Sequence, residues 1–299
     1  MAVAATGFFD GVHLGHKKVI DQMTALAREE ADESMIVTFW PHPRSVLQQD
    51  ADKLRLLTTL EEKRRLCRQY GVDRFEIVPF NKQMSMLSAR EFVNGYLKER
   101  LGVSTLILGY DHRLGHDSFD SPDQVMEVVA SCGVKPVRIS EFTASQGTVS
   151  STVIRRLVTE GRITEAQQML GYRYSLSGVV VSGNKLGRTI GFPTANMQLY
   201  EPLKLVPGDG VYAVKTEVLG ESYVGICNIG TRPTVGMGNA RTIETHILHF
   251  NEDIYGLDIK IEFLSRIRDE RKFSSLDELK IQLERDREFA DSFTMGLRI

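Results

Sequence analysis

The chain has 299 residues, 42% of them hydrophobic and 25% charged, the balance of an ordinary globular protein. That much apolar material can bury two cores, which excludes intrinsic disorder as the state of the chain. Lys+Arg 37 against Asp+Glu 39 gives a formal net charge of -2, so bulk charge does not drive binding to nucleic acid or an anionic membrane, although a local basic pocket remains open.

In chain order, residues 1–6 are short, apolar and without a basic flank, and read as a first strand, at 2–6, rather than a signal peptide. Residues 35–39, 75–79, 105–109 and 137–142 are further brief apolar runs bounded by Gly, Pro or Asp. Amphipathic helical stretches lie between them at 16–30, 60–70, 89–101 and 123–132. One strand per roughly 30 residues is the length of a βαβ unit. The pattern predicts a parallel sheet with helices on both faces, whose ligands bind beyond the carboxyl ends of the strands. Residues 151–170 read as helix, with Ser150 or Ser151 as cap and Gly171 as stop. Strands then follow at 176–182, 210–218, 222–228, 242–250 and 257–264, densely punctuated by Gly and Pro, which predicts an antiparallel barrel or sandwich. A last helix starts at Ser274 or Ser275, with Glu278 completing a capping box. The change of period sets a domain boundary near Gly171, giving domains 1–170 and 171–299. No apolar run approaches the roughly 18 residues of a membrane span. Cys67, Cys132 and Cys227 are far apart with no Cys-x-x-Cys, which points to a reducing, cytoplasmic setting.

The chemistry-bearing strings sit where that architecture puts ligands. Gly7-Phe8-Phe9-Asp10-Gly11-Val12-His13-Leu14-Gly15-His16 follows the first strand and opens the first helix. Backbone N–H groups and the helix dipole make this an anion site, and glycines let a phosphate come close. His13 and His16, three apart at a helix start, share a face and can stabilise charge on a phosphate in flight. The plainer alternative is a glycine-rich turn with a surface histidine pair; a zinc pair lacks a third ligand at zinc spacing. Ser150-Ser151-Thr152-Val153-Ile154-Arg155 is either a simple helix cap or a phosphate clamp of dipole, hydroxyl and guanidinium. In the second half, residues 178–196 read as strand, Gly-rich loop and strand, ending in Gly191-Phe192-Pro193-Thr194-Ala195-Asn196. Thr194 and Asn196 alternate onto one side and offer hard oxygens suited to Mg²⁺. Thr242, Glu244 and His246 share a strand face, which by itself reads as solvent-facing.

Residues 7–16 resemble the His-x-Gly-His signature of the nucleotidyltransferase superfamily. With Phe39-Trp40-Pro41-His42-Pro43-Arg44 and the 150–155 string, they resemble its bacterial bifunctional riboflavin kinase/FAD synthetase branch. Gly109-Tyr110-Asp111-His112-Arg113-Leu114-Gly115 is similar to the loop lining that family's adenylyl-transfer site, with Leu114 replacing the usual aromatic. The 191–196 string and Glu244-Thr245-His246-Ile247 resemble the riboflavin kinase motifs, as do Asn228-Ile229-Gly230-Thr231-Arg232-Pro233-Thr234 and Pro207-Gly208-Asp209-Gly210-Val211-Tyr212.

The resemblance covers essentially the whole chain. It implies a Rossmann-like α/β nucleotidyltransferase domain followed by an antiparallel β-barrel kinase domain with a C-terminal helix. The barrel would phosphorylate riboflavin to FMN with ATP, and the sheet domain would adenylylate FMN to FAD with release of pyrophosphate. On this reading Gly7, Phe8, Asp10, Gly11, His13, His16, Ser150, Ser151 and Arg155 hold the phosphates of one ATP, and His13 and His16 act in catalysis. His42, Asp111 and Arg113 line the flavin and adenylyl site. Gly183, Gly187, Arg188, Gly191, Thr194 and Asn196 hold the second ATP, with Mg²⁺ on Thr194 and Asn196, and Glu244 activates the ribityl hydroxyl. Partners are then small molecules, with no nucleic acid, membrane or obligatory protein partner. Two other readings stay open: an adenylyltransferase for another phosphate acceptor with an accessory barrel, and a flavin-binding module without turnover.

Overall fold

The structure is a computed structural model that describes residues 1–47, 54–109, 114–139, 143–144, 147–183, 186–234 and 238–293. It divides into two compact units, Met1–Ser151 and Thr152–Ile299.

The first unit is a five-stranded parallel sheet in the order β3-β2-β1-β4-β5. The central strand β1 (Ala2–Thr6) is buried at every position, as a strand covered on both faces must be. Helix α1 (Leu14–Glu30) follows it and buries Ile20, Met23 and Ala27. Next come β2 (Glu33–Trp40), the short α2 (Pro43–Leu47) and α3 (Leu60–Gln69). Thr59 and Glu62 close a reciprocal capping box at the start of α3, satisfying two orphan N–H groups. After β3 (Arg74–Pro79), Ser88 and Glu91 cap α4 (Ala89–Glu91), which widens into a π-helix over Phe92–Arg100. This helix and α5 (Pro122–Ser131) cover the face of the sheet that carries Ala2, Ala4, Met35, Val37 and Leu106, with Phe92, Val93, Leu97, Val125 and Val129 as the apolar layer. β4 (Val103–Leu108) runs between them, and β5 (Lys135–Arg138) follows α5, then the small pair β6 (Thr143–Ala144) and β7 (Gly147–Thr148). Leu114 is 2% exposed and belongs to the same layer, so its departure from an aromatic is a packing substitution, and it offers no stacking surface.

The second unit opens at Thr152, the second residue of α6 (Ser151–Thr159), and continues into α7 (Ile163–Leu170). The single helix expected over 151–170 is two, because Gly161 turns the chain at φ +73° against the Arg266 and Tyr212 side chains, where a Cβ would collide. Both helices pack on the barrel: the Gly208 amide donates to the Val158 carbonyl at 2.9 Å and the Gln167 amide to the Phe263 carbonyl at 2.7 Å. The compact unit therefore starts earlier than the change of period at Gly171.

The barrel is closed and antiparallel, in the order β10-β11-β12-β9-β8-β13. Its strands are β8 (Ser175–Val181), β9 (Ala195–Leu199), β10 (Gly210–Val218), β11 (Glu221–Thr234), β12 (Gly238–Ile247) and β13 (Asp258–Arg268). A four-residue helix, α8 (Leu186–Thr189), lies between β8 and β9. The string at 207–212 has a structural use here. The Arg241 guanidinium clamps the Asp209 carboxylate at 2.6 Å and also reaches the Pro207 carbonyl, fixing the corner that starts β10. No helix among the described residues is long and apolar enough to cross a membrane.

The last helix, α9 (Leu276–Asp291), is capped by Ser275, whose hydroxyl accepts the Glu278 amide. The Glu278 carboxylate turns to Ser274 rather than back to Ser275, so the expected capping box is shifted by one residue. Ala290 and Phe293 seal the apolar side chains of Val211, Ala213, Val224 and Ile226. Asp286, 1% exposed, takes a forked ion pair from Arg268 at 3.1, 3.1 and 2.8 Å, plus the Gln282 amide at 2.8 Å. Removing one partner of a buried pair strands the other charge. Asp286→Ala should cost the barrel unit about 3–5 kcal/mol, read by urea unfolding; a loss under about 1 kcal/mol would show that the ion pair does not anchor α9.

Candidate functional site

Two clusters of the expected residues form, one in each unit. In the first, β1 ends and α1 begins within a turn whose backbone is held in the left-handed region at Phe9 (φ 51°), Gly11 (φ 82°) and Val12 (φ 37°). Non-glycine residues adopt such values only where the surroundings fix them. The fixing groups come from residues 57–58. The Asp10 carboxylate, 3% exposed, accepts the Leu57 amide at 3.0 and 3.1 Å, the Thr58 amide at 3.1 Å and the Thr58 hydroxyl at 3.3 Å. The Thr58 hydroxyl oxygen in turn accepts the Gly11 amide at 3.0 Å. Asp10, expected at the phosphates, is thus turned into the protein: a carboxylate would repel a phosphate, and here it shapes the turn instead.

His13 is the N-cap of α1, its Nδ1 accepting the His16 amide at 3.3 Å, so its proton sits on Nε2. The two imidazoles stack, with centroids 3.7 Å apart and planes 15° apart, and the Phe9 ring packs edge-on against His16 at 5.1 Å. His16 is held neutral well below the usual histidine range, first by burial, then by His13 and by Lys63. Two neutral rings at a helix N-terminus are hydrogen-bond donors that need no counter-ion. Gly15 passes within 3.1 Å of the His13 ring, measured from where its Cβ would stand, so any side chain there would disturb the pair.

His42 is brought to this turn, its ring 3.9 Å from that of Phe8, and its Nδ1 accepts the Arg44 amide at 2.9 Å. Gly7 donates its amide to the Val37 carbonyl at 3.0 Å. Ser151, the first residue of α6 and directly after Ser150, spends its hydroxyl on the Asp10 carbonyl at 2.9 Å. Arg155 lies one turn further along that helix and is half-buried. Asp111 and Arg113 lie outside the described residues.

The second cluster is a row across the barrel. Asn196 on β9 pairs directly with Glu244 on β12, which pairs on its other side with Asn228 on β11. Directly paired residues share a face. Glu244 is 8% exposed, so it is not on a solvent face. Period 2 fixed the residues that share the face but not what covers it. For Asn228, which the sequence offers only within the 228–234 string, the register opposite Glu244 is the signal for its place in the site. The Asn228 amide also donates to Glu270 at 3.3 Å.

The glycines of this half have local reasons. A Cβ on Gly183 would stand 2.2 Å from the Asn196 carboxamide, and one on Gly187 2.2 Å from the Phe192 carbonyl. Gly191 turns at φ +85°. The next residues are steadied by His246, two beyond Glu244. Its Nδ1 donates to the Pro193 carbonyl at 2.8 Å, and its ring meets Phe192 at 5.1 Å. Burial pushes this imidazole down, against the pull of the Pro193 hydrogen bond in the other direction. Arg188, Gly191 and Thr194 line a cavity of about 550 Å³ together with Thr245, Phe250 and Asn251.

Because the folded His16 ring resists protonation, the unfolded chain takes up that proton first as the pH falls through about 6.5. Stability of the sheet unit should therefore decline from pH about 6.5 towards 5, and His16→Asn should flatten the slope. Urea unfolding at pH 7, 6 and 5 checks this; an equal slope in the variant would mean that His16 is not the group excluded from protonation.

Comparison with known proteins follows the same division. The FAD synthetase family model matches residues 1–153 and the riboflavin kinase model residues 170–294. The bifunctional riboflavin kinase/FMN adenylyltransferase of Bacillus subtilis (strain 168) is 38% identical over 302 residues, covering 99% of this chain and 94% of that protein. The proteins of the same name from Listeria monocytogenes and Escherichia coli (strain K12) are 40% and 36% identical, each covering 97% of this chain and 92% of its relative. A crystal structure described as a macrolide-efflux protein from Streptococcus pneumoniae matches the fold with a TM-score of 0.89 at 31% identity, over 97% of this chain and 94% of that one. With relatives matched along nearly their whole length and a family model on each half, the chain belongs to the bifunctional riboflavin kinase/FMN adenylyltransferase family.

Proposed function

We propose that the barrel unit transfers the γ-phosphoryl group of ATP to the terminal hydroxyl of the riboflavin ribityl chain, with Glu244 as general base, and that the sheet unit transfers AMP from a second ATP to FMN through the turn at residues 7–16. The observation that carries the kinase half is the row Asn196–Glu244–Asn228: a carboxylate 8% exposed, flanked by two amides, on the strand next to the segment that lines the cavity. A carboxylate in that setting can orient a hydroxyl and accept its proton as the oxygen attacks phosphorus and ADP leaves.

The donors here suit a hard cation. The Thr194 hydroxyl and the Asn196 carboxamide oxygen are hard ligands, Glu244 is the cross-strand neighbour of Asn196, and the missing Cβ of Gly183 leaves the Asn196 side chain its place. Mg²⁺ held by Thr194 and Asn196 would neutralise charge on the ATP phosphates when bound. Gly183 and Gly187 let the loop approach the nucleotide, Arg188 supplies a cation, and His246 fixes the Pro193 carbonyl and so the direction in which Thr194 leaves the turn.

In the sheet unit a phosphate oxygen of FMN attacks the α-phosphorus of ATP and pyrophosphate leaves; no covalent enzyme intermediate is required. Neutral His13 and His16 donate to the transferring phosphate, and the amides at the start of α1 supply a fixed positive field. Ser150 and Ser151 act on the leaving pyrophosphate, and His42, Asp111 and Arg113 on the flavin side. The substrates are small molecules and the setting is the cytoplasm, in keeping with three cysteines that are all free and buried. Neither an accessory barrel nor a flavin-binding module without turnover has a use for a buried Glu244 between two amides.

Glu244→Gln preserves shape and removes the proton acceptor. With riboflavin and MgATP it should form FMN at least about 10²-fold more slowly, while FMN supplied directly is converted to FAD at nearly the original rate. Separating the flavins from one preparation gives both rates; FMN formation near the wild-type rate would remove Glu244 from the mechanism.

A further inference from the structure

The sheet unit contains a buried cation outside the groups assigned to adenylyl transfer. Lys63 sits in the first turn of α3 and is 1% exposed, among the largest fully buried side chains of the chain. An ammonium removed from water must find partners. Its Nζ donates to the Phe8 carbonyl, which also accepts the Thr38 hydroxyl at 3.3 Å. It also lies 3.7 Å from the centroid of the Phe8 ring, a cation–π distance. Burial lowers Lys63 to about 8, while Asp10 and Cys67 act to raise it.

These contacts converge on the turn. Lys63 holds Phe8, residues 57–58 hold Asp10 and Gly11, and the left-handed Phe9 between them lays its ring on His16. The charged or titratable groups facing this arrangement are Asp10, Cys67, His13 and His16, with His42 on the Phe8 ring. Cys67 is pushed up to about 12 by burial and His16 well down, so Lys63 is the group here that changes charge near pH 8.

We propose that Lys63 is a positioning residue for adenylyl transfer: its ammonium locks the Phe8 carbonyl and, with Asp10, the left-handed turn that aims His13 and His16. This rests on the reading of the sheet unit as the adenylyl-transfer domain. Lys63 does not touch substrate; it acts through the turn.

The test uses the full chain, supplied in turn with FMN and with riboflavin, each with MgATP, from pH 6.5 to 9.5. Wild-type FAD formation should fall through a midpoint near pH 8 as Lys63 loses its proton, while FMN formation in the same chain shows no such limb. Lys63→Met, of similar length and without charge, should run about 10²-fold slower in kcat at pH 7, the cost of misplacing donors by about an ångström. Its KM for ATP should change little, and the limb near pH 8 should be gone. In the same variant the His16 ring, followed by NMR, should titrate closer to 6.5. A purely structural lysine would slow the enzyme without removing the limb, and that outcome overturns the proposal. So does a variant within about threefold of wild type, or a wild-type profile flat through pH 8. The last of these decides the matter even if Lys63→Met fails to fold. A wild-type chain that makes FMN but no FAD at any pH refutes the domain reading instead, and the proposal falls with it.

Discussion

Taking a carboxylate out of water is costly and constrains whatever surrounds it, and each unit of this protein holds a buried one at its site. In the sheet unit it is Asp10. Two amides and a hydroxyl from residues 57–58 receive it, and in being received it carries the chain into the left-handed turn that delivers His13 to the helix start. In the barrel unit it is Glu244, set by strand register between Asn196 and Asn228. The two solutions differ because the elements differ. A parallel sheet exposes a loop at the strand end, where a backbone turn can be tied down from the next helix. A closed barrel offers a strand face, where neighbours come from register.

The same constraint explains several residues that touch no reacting group. Gly183 leaves room for the Asn196 side chain, Gly15 for the His13 ring, and Gly161 for Arg266. His246, kept neutral by its burial, holds the Pro193 carbonyl. Asp286 is buried with Arg268 and Gln282, and through them α9 is fixed to the barrel. In each case a polar group out of water defines a unique geometry, and the apolar layers around it supply most of the burial.

Much of this was legible in the sequence because it rests on period and punctuation. β1 and β10 match the expected bounds, since their apolar runs end at Gly, Asp or a turn. β11 runs on to Thr234, past Gly230 and Pro233, which read as punctuation: closing a barrel demanded a longer strand than local signals suggested. The direction of Asp10 was not legible, because a motif fixes spacing and not which way a side chain turns. Lys63 was missed for a similar reason. Among Glu61, Glu62, Arg64 and Arg65 it reads as one more solvent charge, although its spacing from Leu60, Leu66 and Cys67 places it on the apolar stripe of α3.

The central claim is that the kinase site is built wholly within one unit, from register and loop geometry that the unit itself enforces. The two helices before the barrel belong to that unit, since α6 meets Gly208 and α7 meets Phe263. The most direct measurement is riboflavin phosphorylation by a fragment of residues 152–299. The account predicts FMN formation at nearly the rate of the full chain and no FAD from any flavin supplied. A fragment with the far-UV spectrum and cooperative melting of a folded barrel, but unable to phosphorylate riboflavin, would contradict it.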